Sequence, residues 1–202
     1  DSSTSRGLGD VYKRQILHDR ELTYSFVAPE QGLGGHQSLY DLFHETIVEW
    51  LAEQGIAARR FESSGGLTCA EAPPTEPFLC FQRRAHGDVV APVVAGSAAD
   101  ERAERGEFKV LGSAQRRLRT AILQHGSLLL ERSSCAPELP GLRELAGLRA
   151  SPSEVWEAWT KKVAARTGWS WRETAISPVE NALAERLQFE RYGADSWTGR
   201  RA

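Results

Sequence analysis

The chain has 202 residues, of which 41% are hydrophobic and 26% are charged, and its formal net charge at pH 7 is -2. This length and apolar content are sufficient for one domain with a hydrophobic core, and no apolar run approaches the length of a membrane span. Basic residues cluster only at Arg116, Arg117 and Arg119, so the composition excludes an extended nucleic-acid footprint.

Hydrophobic spacing predicts the elements of the first three quarters of the chain. Alternating apolar and polar residues predict a strand over 16–28, and a capping box at Ser38 predicts a helix that ends near Gly55. Between the short runs that follow, residues 95–106 predict a surface loop, or a lid over a nearby site. Further strands are predicted over residues 56–61, 78–83, 88–94, 108–114 and 121–131.

Two helices are predicted to close the chain. Each begins with Ser-Pro-x-Glu, at Ser151 and at Ser177, and they end near Gly168 and Gly193. Each has one apolar stripe that should pack on the sheet, and the stripes consist of Val155, Trp159 and Val163 in one helix and Val179, Leu183 and Leu187 in the other. The order of elements predicts an α+β fold in which helices flank a single mixed β-sheet.

The beginning of the chain predicts a separate segment. Residues 1–15 have no hydrophobic periodicity, and the part that ends at Gln15 resembles translated sequencing-adapter tails. We therefore expect residues 1–15 to be a non-native or disordered tail, and residues 16–202 to form one folded domain.

Three cysteines at irregular spacing argue against both a disulfide framework and a structural zinc site. Cys69 and Cys135 lie in turn-like segments with no activating neighbour, and we interpret both as incidental. No cluster of His, Cys, Asp and Glu has metal-ligand spacing, which predicts that the protein holds no metal. A reducing cytoplasm fits this pattern best.

The most informative motif is Phe108-Lys-Val-Leu-Gly-Ser-Ala-Gln-Arg-Arg117, which Gln124-His-Gly-Ser127 follows on the next predicted strand. Lys109 precedes a run of small residues, as if the backbone passes close to a ligand while an amine points at it. This pattern resembles the lipoate and biotin protein ligase superfamily, in its octanoyltransferase and lipoate-protein ligase A branch. The resemblance implies the catalytic-domain fold of those ligases, and a lysine at position 109 that contacts the acyl carbonyl or the acyl-adenylate.

Cys80 extends the resemblance, because octanoyltransferases form an acyl-thioester on a cysteine at the matching position. The resemblance therefore implies that Cys80 and Lys109 are the catalytic residues. The sequence alone leaves open that Cys80 is a buried strand cysteine that behaves as a small hydrophobe between Phe78 and Phe81.

The resemblance also implies which residues line the acyl site. From the residues alone, Gly112, Ser113 and Ala114 also suit a β-bulge or close strand packing, and a lone histidine such as His125 is more often a core residue than a base. Asp88 falls where ligases carry an Asn-Asp pair near the nucleotide, although a turn before a strand explains it as well. The implied acyl-binding residues are His18, Gly112, Ser113, Ala114, His125 and Gly126.

The function implied by the resemblance is transfer of an octanoyl or lipoyl group from acyl carrier protein to a lysine of a lipoyl domain. The acceptor is the glycine cleavage H protein or a 2-oxoacid dehydrogenase E2, the group passes through a cysteine thioester, and no cofactor is required. One alternative is a lipoate-protein ligase that uses ATP and Mg²⁺, with Asp88 near the nucleotide. A second is a catalytically inactive fragment that binds lipoyl domains.

In the resembled family an Arg-Arg-x-Ser/Thr-Gly-Gly-Gly-Ala turn precedes the Ile-Leu-His-Asp segment. That turn is not found before Ile16, so the resemblance implies that residues 16–202 form a catalytic domain that lacks its N-terminal part. We therefore expect low activity from these residues alone. No nucleic-acid or membrane partner is predicted.

Overall fold

A computed structural model of the chain describes residues 18–29, 39–62, 79–102, 104, 106–117 and 119–198. The described residues belong to two compact units, one that ends at Trp169 and one that begins at Ser170. Among the described helices, none combines the length and the apolar character that crossing a membrane would require. Residues 1–15, Ser38 and Cys69, for which predictions were made above, lie outside the described residues.

The first unit contains one sheet of five strands in the order β1, β5, β4, β3, β2. The predicted α+β class and single sheet are confirmed, but the prediction of a mixed sheet is wrong, because every pairing among the described strands is antiparallel. Between β4 and β5 the short connection favours this arrangement, since a parallel pair needs a long crossover. The strands are β1 (Glu21–Pro29), β2 (Arg59–Arg60), β3 (Val89–Pro92), β4 (Glu107–Arg117) and β5 (Ala121–Leu129).

One face of the sheet is covered by two helices, α1 (Leu39–Glu53) and α4 (Pro152–Thr167). Tyr24 of β1 stacks on Phe43 of α1 at 5.4 Å between ring centroids, and its ring meets Trp159 of α4 edge-on. The indole nitrogen of Trp159 donates hydrogen bonds to the Phe43 carbonyl and to the hydroxyl of Thr46, so this large side chain is buried without an unpaired donor. The core therefore lies between β1 and these two helices.

The remaining helices are short, except for the one that follows residue 177. They are α2 (Ala98–Glu101), α3 (Leu142–Ala146), α5 (Pro178–Leu187), which continues as one π-helical turn (Gln188–Tyr192), and α6 (Asp195–Thr198). The capping boxes predicted at Ser151 and Ser177 are confirmed: Ser151 accepts a hydrogen bond from the backbone of Glu154, and Ser177 from that of Glu180. No residue of α5 is buried, and Val179 of its predicted apolar stripe is 79% exposed.

Two further segments differ from the predictions. Residues 80–82 form a 3₁₀ turn (Cys80–Gln82) rather than a strand, and only Phe81 of the turn is buried, whereas a strand would bury alternate residues. Residues 98–101, predicted as loop, form α2, because Ser97 caps the turn and Ala99 is buried.

Candidate active site

Lys109 lies near the start of β4 and forms an ion pair with Asp88, whose carboxylate is 2.7 Å from the ammonium nitrogen. The two side chains are only 7% and 3% exposed. A Cβ on Gly112 would lie 2.6 Å from Cε of Lys109, so the lysine chain occupies the space that a side chain at position 112 would need. Gly112 therefore allows the ammonium to lie against the sheet.

A tight turn before β3 holds the Asp88 carboxylate in place. One oxygen accepts a hydrogen bond from the Ala85 amide at 2.7 Å, and the other accepts from the Tyr40 hydroxyl at 3.3 Å. Gly87 has a φ of 86°, and a Cβ there would lie 2.6 Å from the Tyr40 ring. The turn thus requires glycine at position 87 for both its backbone conformation and its packing.

Cys80 begins the 3₁₀ turn, where it is half-buried and carries a free thiol. Its neighbour Phe81 has its ring 5.3 Å from the ammonium nitrogen of Lys109, in a cation–π contact. The two predicted catalytic residues therefore belong to segments that meet at the Lys109 ammonium.

The strand register divides the predicted acyl-binding residues between two faces of the sheet. Ala114 pairs with His125, and both are exposed on the face against which Lys109 lies, next to Gly112. Ser113 and Gly126 pair on the opposite face, towards α1, where a Cβ on Gly126 would lie 2.8 Å from the Tyr24 ring. Three of the predicted residues thus share the Lys109 face, and two face the helices.

His18, also predicted to bind the acyl chain, is exposed and bonds to Glu21 through Nδ1. The Glu21 carboxylate is almost fully buried on the Lys109 face, and its Oε1 also accepts from Thr23 and from Ser127, each at 3.0 Å. Ser127 is the cross-strand partner of Gly112. Oε2 of Glu21 is buried and has no hydrogen-bond partner within the described part of the chain. A buried carboxylate oxygen without a partner is uncommon in folded proteins, because its desolvation is not compensated.

A buried relay of neutral groups lies on the opposite face and was not predicted from the sequence. Gln115 donates to Gln124 at 2.9 Å, Gln124 donates to the Tyr24 hydroxyl at 3.1 Å, and Tyr24 donates to the Ser113 hydroxyl at 3.0 Å. Ser113 then bonds to Nε2 of His44. Each donor in the relay meets an acceptor, as a buried polar network requires.

His44 ends this relay on α1, where Nδ1 lies 2.7 Å from the carbonyl oxygen of Gly87. Because a carbonyl can only accept, Nδ1 carries the proton, and Nε2 of the neutral ring accepts from Ser113. Complete burial of the ring lowers the pKa of His44 to about 4, although the hydrogen bond to Gly87 opposes this shift. His44 is thus neutral at physiological pH.

Only weak signals in the sequence could have identified His44 and Glu21. His44 lies one turn after Tyr40 on the apolar stripe of α1, where a core histidine is the ordinary interpretation. Glu21 begins β1 at a polar position of the alternation, which predicts an exposed side chain. Their roles depend on cross-strand and helix contacts that the local sequence does not encode.

Metal-ligating side chains do not gather at this site. Within the described ranges, no group of three or more His, Cys, Asp and Glu residues could hold a metal ion. Asp88, predicted to lie near the nucleotide of a ligase, is engaged by Lys109, Tyr40 and the Ala85 amide.

Comparison with known proteins places this geometry in a family. Residues 14–163 match the model of the lipoyl protein ligase A/B catalytic domain. The octanoyltransferase LipM of Kyrpidia tusciae is 31% identical over 228 residues, which cover 98% of this chain and 77% of that protein. The octanoyltransferase LipM of Symbiobacterium thermophilum is 31% identical over 210 residues, which cover 93% of this chain and 71% of the relative.

A solved structure shares the fold. The bipartite lipoate protein ligase of Thermoplasma acidophilum, solved in a study with its E2 lipoyl domain, superposes with a TM-score of 0.58 at 18% identity. The match covers 90% of this chain but only 65% of the ligase chain. From the family match, and from relatives that are 31% identical over nearly the whole chain, we conclude that this chain belongs to the lipoyl protein ligase A/B catalytic-domain family, with LipM octanoyltransferases among its relatives.

Proposed function

We propose that the chain is an octanoyltransferase of protein lipoylation that carries the acyl group on Cys80. The observation that carries the proposal is the Lys109 ammonium, held in a buried ion pair with Asp88 and in contact with the ring next to Cys80. A buried charge is costly unless it is used or fully paired, and the 3₁₀ turn that contacts this one through Phe81 carries a half-buried free thiol.

The first step forms the thioester. The Cys80 thiolate attacks the carbonyl carbon of an octanoyl thioester, and the developing oxyanion is stabilised by the Lys109 ammonium. Collapse of the tetrahedral intermediate breaks the bond to the donor sulfur, which leaves as a thiolate and takes a proton from water. The octanoyl group is then bound to Cys80 as a thioester of similar energy.

The second step moves the acyl group to an amine. A lysine amine of the acceptor attacks the Cys80 thioester, the new C–N bond forms, and the Cys80 thiolate leaves. The attacking nitrogen must lose a proton, and we assign its acceptance to Oε2 of Glu21, which is buried without a partner in the described residues. Glu21 bonds to Ser127 on the strand next to β4, on the Lys109 face.

The donor and the acceptor proposed here are acyl carrier protein and a lipoyl domain of the glycine cleavage H protein or of a 2-oxoacid dehydrogenase E2. Octanoyltransferases among the relatives support the octanoyl group, and the Thermoplasma ligase studied with an E2 lipoyl domain supports the acceptor class. A reducing cytoplasm would keep Cys80 as the thiol that this chemistry needs.

An ATP-dependent lipoate-protein ligase is the second candidate, because the Thermoplasma relative of the same fold is a ligase. Two observations favour the transferase. The octanoyltransferases are 31% identical to this chain, against 18% for that ligase. Asp88, the candidate nucleotide residue, is already engaged by Lys109. On this proposal neither ATP nor Mg²⁺ is required.

The experiment that separates these functions is a single-turnover reaction with octanoyl-acyl carrier protein in the absence of ATP, followed by intact-mass spectrometry. We expect an octanoyl adduct on the wild-type chain and none on Cys80→Ser, whereas Cys135→Ser, the matched control, keeps the adduct. Acylation of a lipoyl domain that requires octanoate and ATP, with no adduct, would select the ligase. Binding of the lipoyl domain without any acylation would select the inactive binding fragment.

The role of Glu21 is tested by separating the two steps. Glu21→Gln is expected to form the Cys80 adduct normally and to pass it to the lipoyl domain at least about tenfold more slowly, as for loss of a general base. Equal slowing of both steps would remove Glu21 from the second step.

A further inference from the structure

We propose that His44 is a positioning residue for the Lys109–Asp88 ion pair. Its imidazole bonds to Gly87, which precedes Asp88 in the chain, and to Ser113, which follows Gly112. Asp88 and Gly112 are the two residues that hold the Lys109 side chain. The inference deepens the proposed function and rests on it for its kinetic test alone.

The first of the two bonds fixes the turn that carries Asp88. Nδ1 of His44 donates to the Gly87 carbonyl, which belongs to the same peptide unit as the Asp88 amide. That amide donates to the Ala85 carbonyl at 3.1 Å, and the Asp88 carboxylate accepts from the Ala85 amide. Holding the Gly87 carbonyl therefore sets the plane of the peptide from which the Asp88 side chain projects.

The second bond fixes β4 beside Gly112. Ser113 donates to Nε2 of His44 and accepts from Tyr24, so its hydroxyl is constrained on both sides. The residue before it, Gly112, provides the surface against which Cε of Lys109 lies. A shift of β4 at this point would change the space available to the lysine on the other face.

His44 lies on the face of the sheet opposite to Lys109, and the hydrogen bonds of its ring nitrogens go to Gly87 and Ser113 rather than to either member of the ion pair. It is completely buried, and its ring stacks on Tyr40, whose hydroxyl donates to Asp88. Tyr40 and His44 are one turn apart, so α1 reaches the Asp88 turn through two adjacent side chains. The two hydrogen bonds of His44 thus link the turn that carries Asp88 to β4, the two segments on either side of the ion pair.

The test compares three variants of the full chain. His44→Phe keeps the aromatic stack on Tyr40 and removes both hydrogen bonds, while His44→Gln retains one donor and one acceptor. The matched control is Thr46→Val, which removes a buried hydrogen-bonded hydroxyl from the same helix, far from Gly87 and Ser113 in the bonding scheme. Ser113→Ala removes one bond and provides a milder variant should His44→Phe not fold.

The first measurement needs no activity. Nitrogen-15 NMR of lysine side chains detects an ammonium group only when it is held in a fixed bonded geometry. We expect a Lys109 signal in the wild type, in His44→Gln and in Thr46→Val, a loss of that signal in His44→Phe and a weakening in Ser113→Ala. A Lys109 signal of unchanged intensity in His44→Phe, or in Ser113→Ala, would overturn the inference.

The second measurement is kinetic. Small misplacements of a catalytic group cost up to about a hundredfold in rate, so we expect kcat for octanoyl transfer to fall about tenfold to a hundredfold in His44→Phe. KM should change little, and His44→Gln should recover most of the loss. A decrease in His44→Phe no larger than that in Thr46→Val would contradict positioning. If the wild type forms no adduct at all, the proposed function fails, while the NMR measurement still decides the role of His44.

Discussion

Polar groups are paired in different ways on the two faces of β4. One side carries a full ion pair between Lys109 and Asp88, and the other carries neutral groups that run from Gln115 to His44. A neutral network with every bond made can serve structure alone, whereas a buried ion pair gains little stability over apolar residues of the same size. On the proposed function, the charged side serves the chemistry and the neutral side holds it in place.

The largest effect is expected from Lys109→Ala, which removes the charge from the chemical side. Loss of one oxyanion donor costs on the order of a hundredfold or more, so transfer should fall below detection. Asp88 would remain buried without its partner, which lowers the free energy of unfolding by about 3–5 kcal/mol. Single-turnover acylation and urea unfolding measure the two losses, and Lys161→Ala, at an exposed ion pair, should show neither. Near-normal turnover by Lys109→Ala would remove the lysine from catalysis.

The double variant Lys109→Met/Asp88→Asn sharpens the comparison, because it removes both charges at once and keeps an oxygen at position 88 that can accept from the Ala85 amide. It should recover most of the about 3–5 kcal/mol lost in the single variant, because no unpaired charge is left buried. Activity should stay as low as in Lys109→Ala. Recovery of transfer together with stability would mean that the ion pair serves structure, like the groups on the other side.

The neutral side should show its own signature as a dependence of stability on pH. The pKa of His44 is about 4 in the folded chain, against an ordinary value of 6.5. Between these values the unfolded chain takes up a proton and the folded chain does not, so stability is lost as the pH falls from 6.5 to 4. The expected loss is about 3 kcal/mol. His44→Gln, which cannot titrate, should lack this part of the urea-unfolding profile, and coinciding wild-type and variant profiles would show that His44 is not held neutral.

The smallest effect is expected outside the candidate active site, where a buried and an exposed valine on two helices show how much burial contributes to the free energy of unfolding. Val155 of α4 is fully buried, whereas Val179 of α5 is largely exposed, although the two helices begin with the same capping sequence. Val155→Ala should lower the free energy of unfolding by about 2 kcal/mol. Val179→Ala should change it by less than about 0.5 kcal/mol in the same urea titration. A large loss from Val179→Ala would show that its stripe is covered in solution.

The same two helices show how far the sequence predicts the fold. Ser151 and Ser177 mark helix starts correctly, because a cap bonds only within its own first turn. What each stripe packs against depends on the rest of the chain, so the caps alone do not predict that Val155 of α4 is buried while Val179 of α5 is exposed. The strands of the Lys109 motif were predicted well, since alternation and small residues are local signals.

The candidate site was predicted in part. Cys80 and Lys109 were identified through a family resemblance, and their roles remain proposals. His44 and Glu21 escaped prediction because their chemistry arises from partners far apart in the chain, such as Gly87 for His44 and Ser127 for Glu21. A residue type that is ordinary in its own segment gives no sequence signal of such partners.

The central claim, that Lys109 acts on the acyl carbonyl carried by Cys80, is tested most directly by infrared spectroscopy of the acyl-enzyme. Cys80 of the wild type and of Lys109→Met is acylated chemically with an activated octanoyl ester that carries carbon-13 at the carbonyl, because the variant is not expected to load itself by transfer. The carbonyl stretching frequencies of the two acyl-enzymes are then compared. The account predicts a lower frequency in the wild type, because a hydrogen bond from the ammonium polarises the carbonyl. Identical frequencies in the two acyl-enzymes would contradict it.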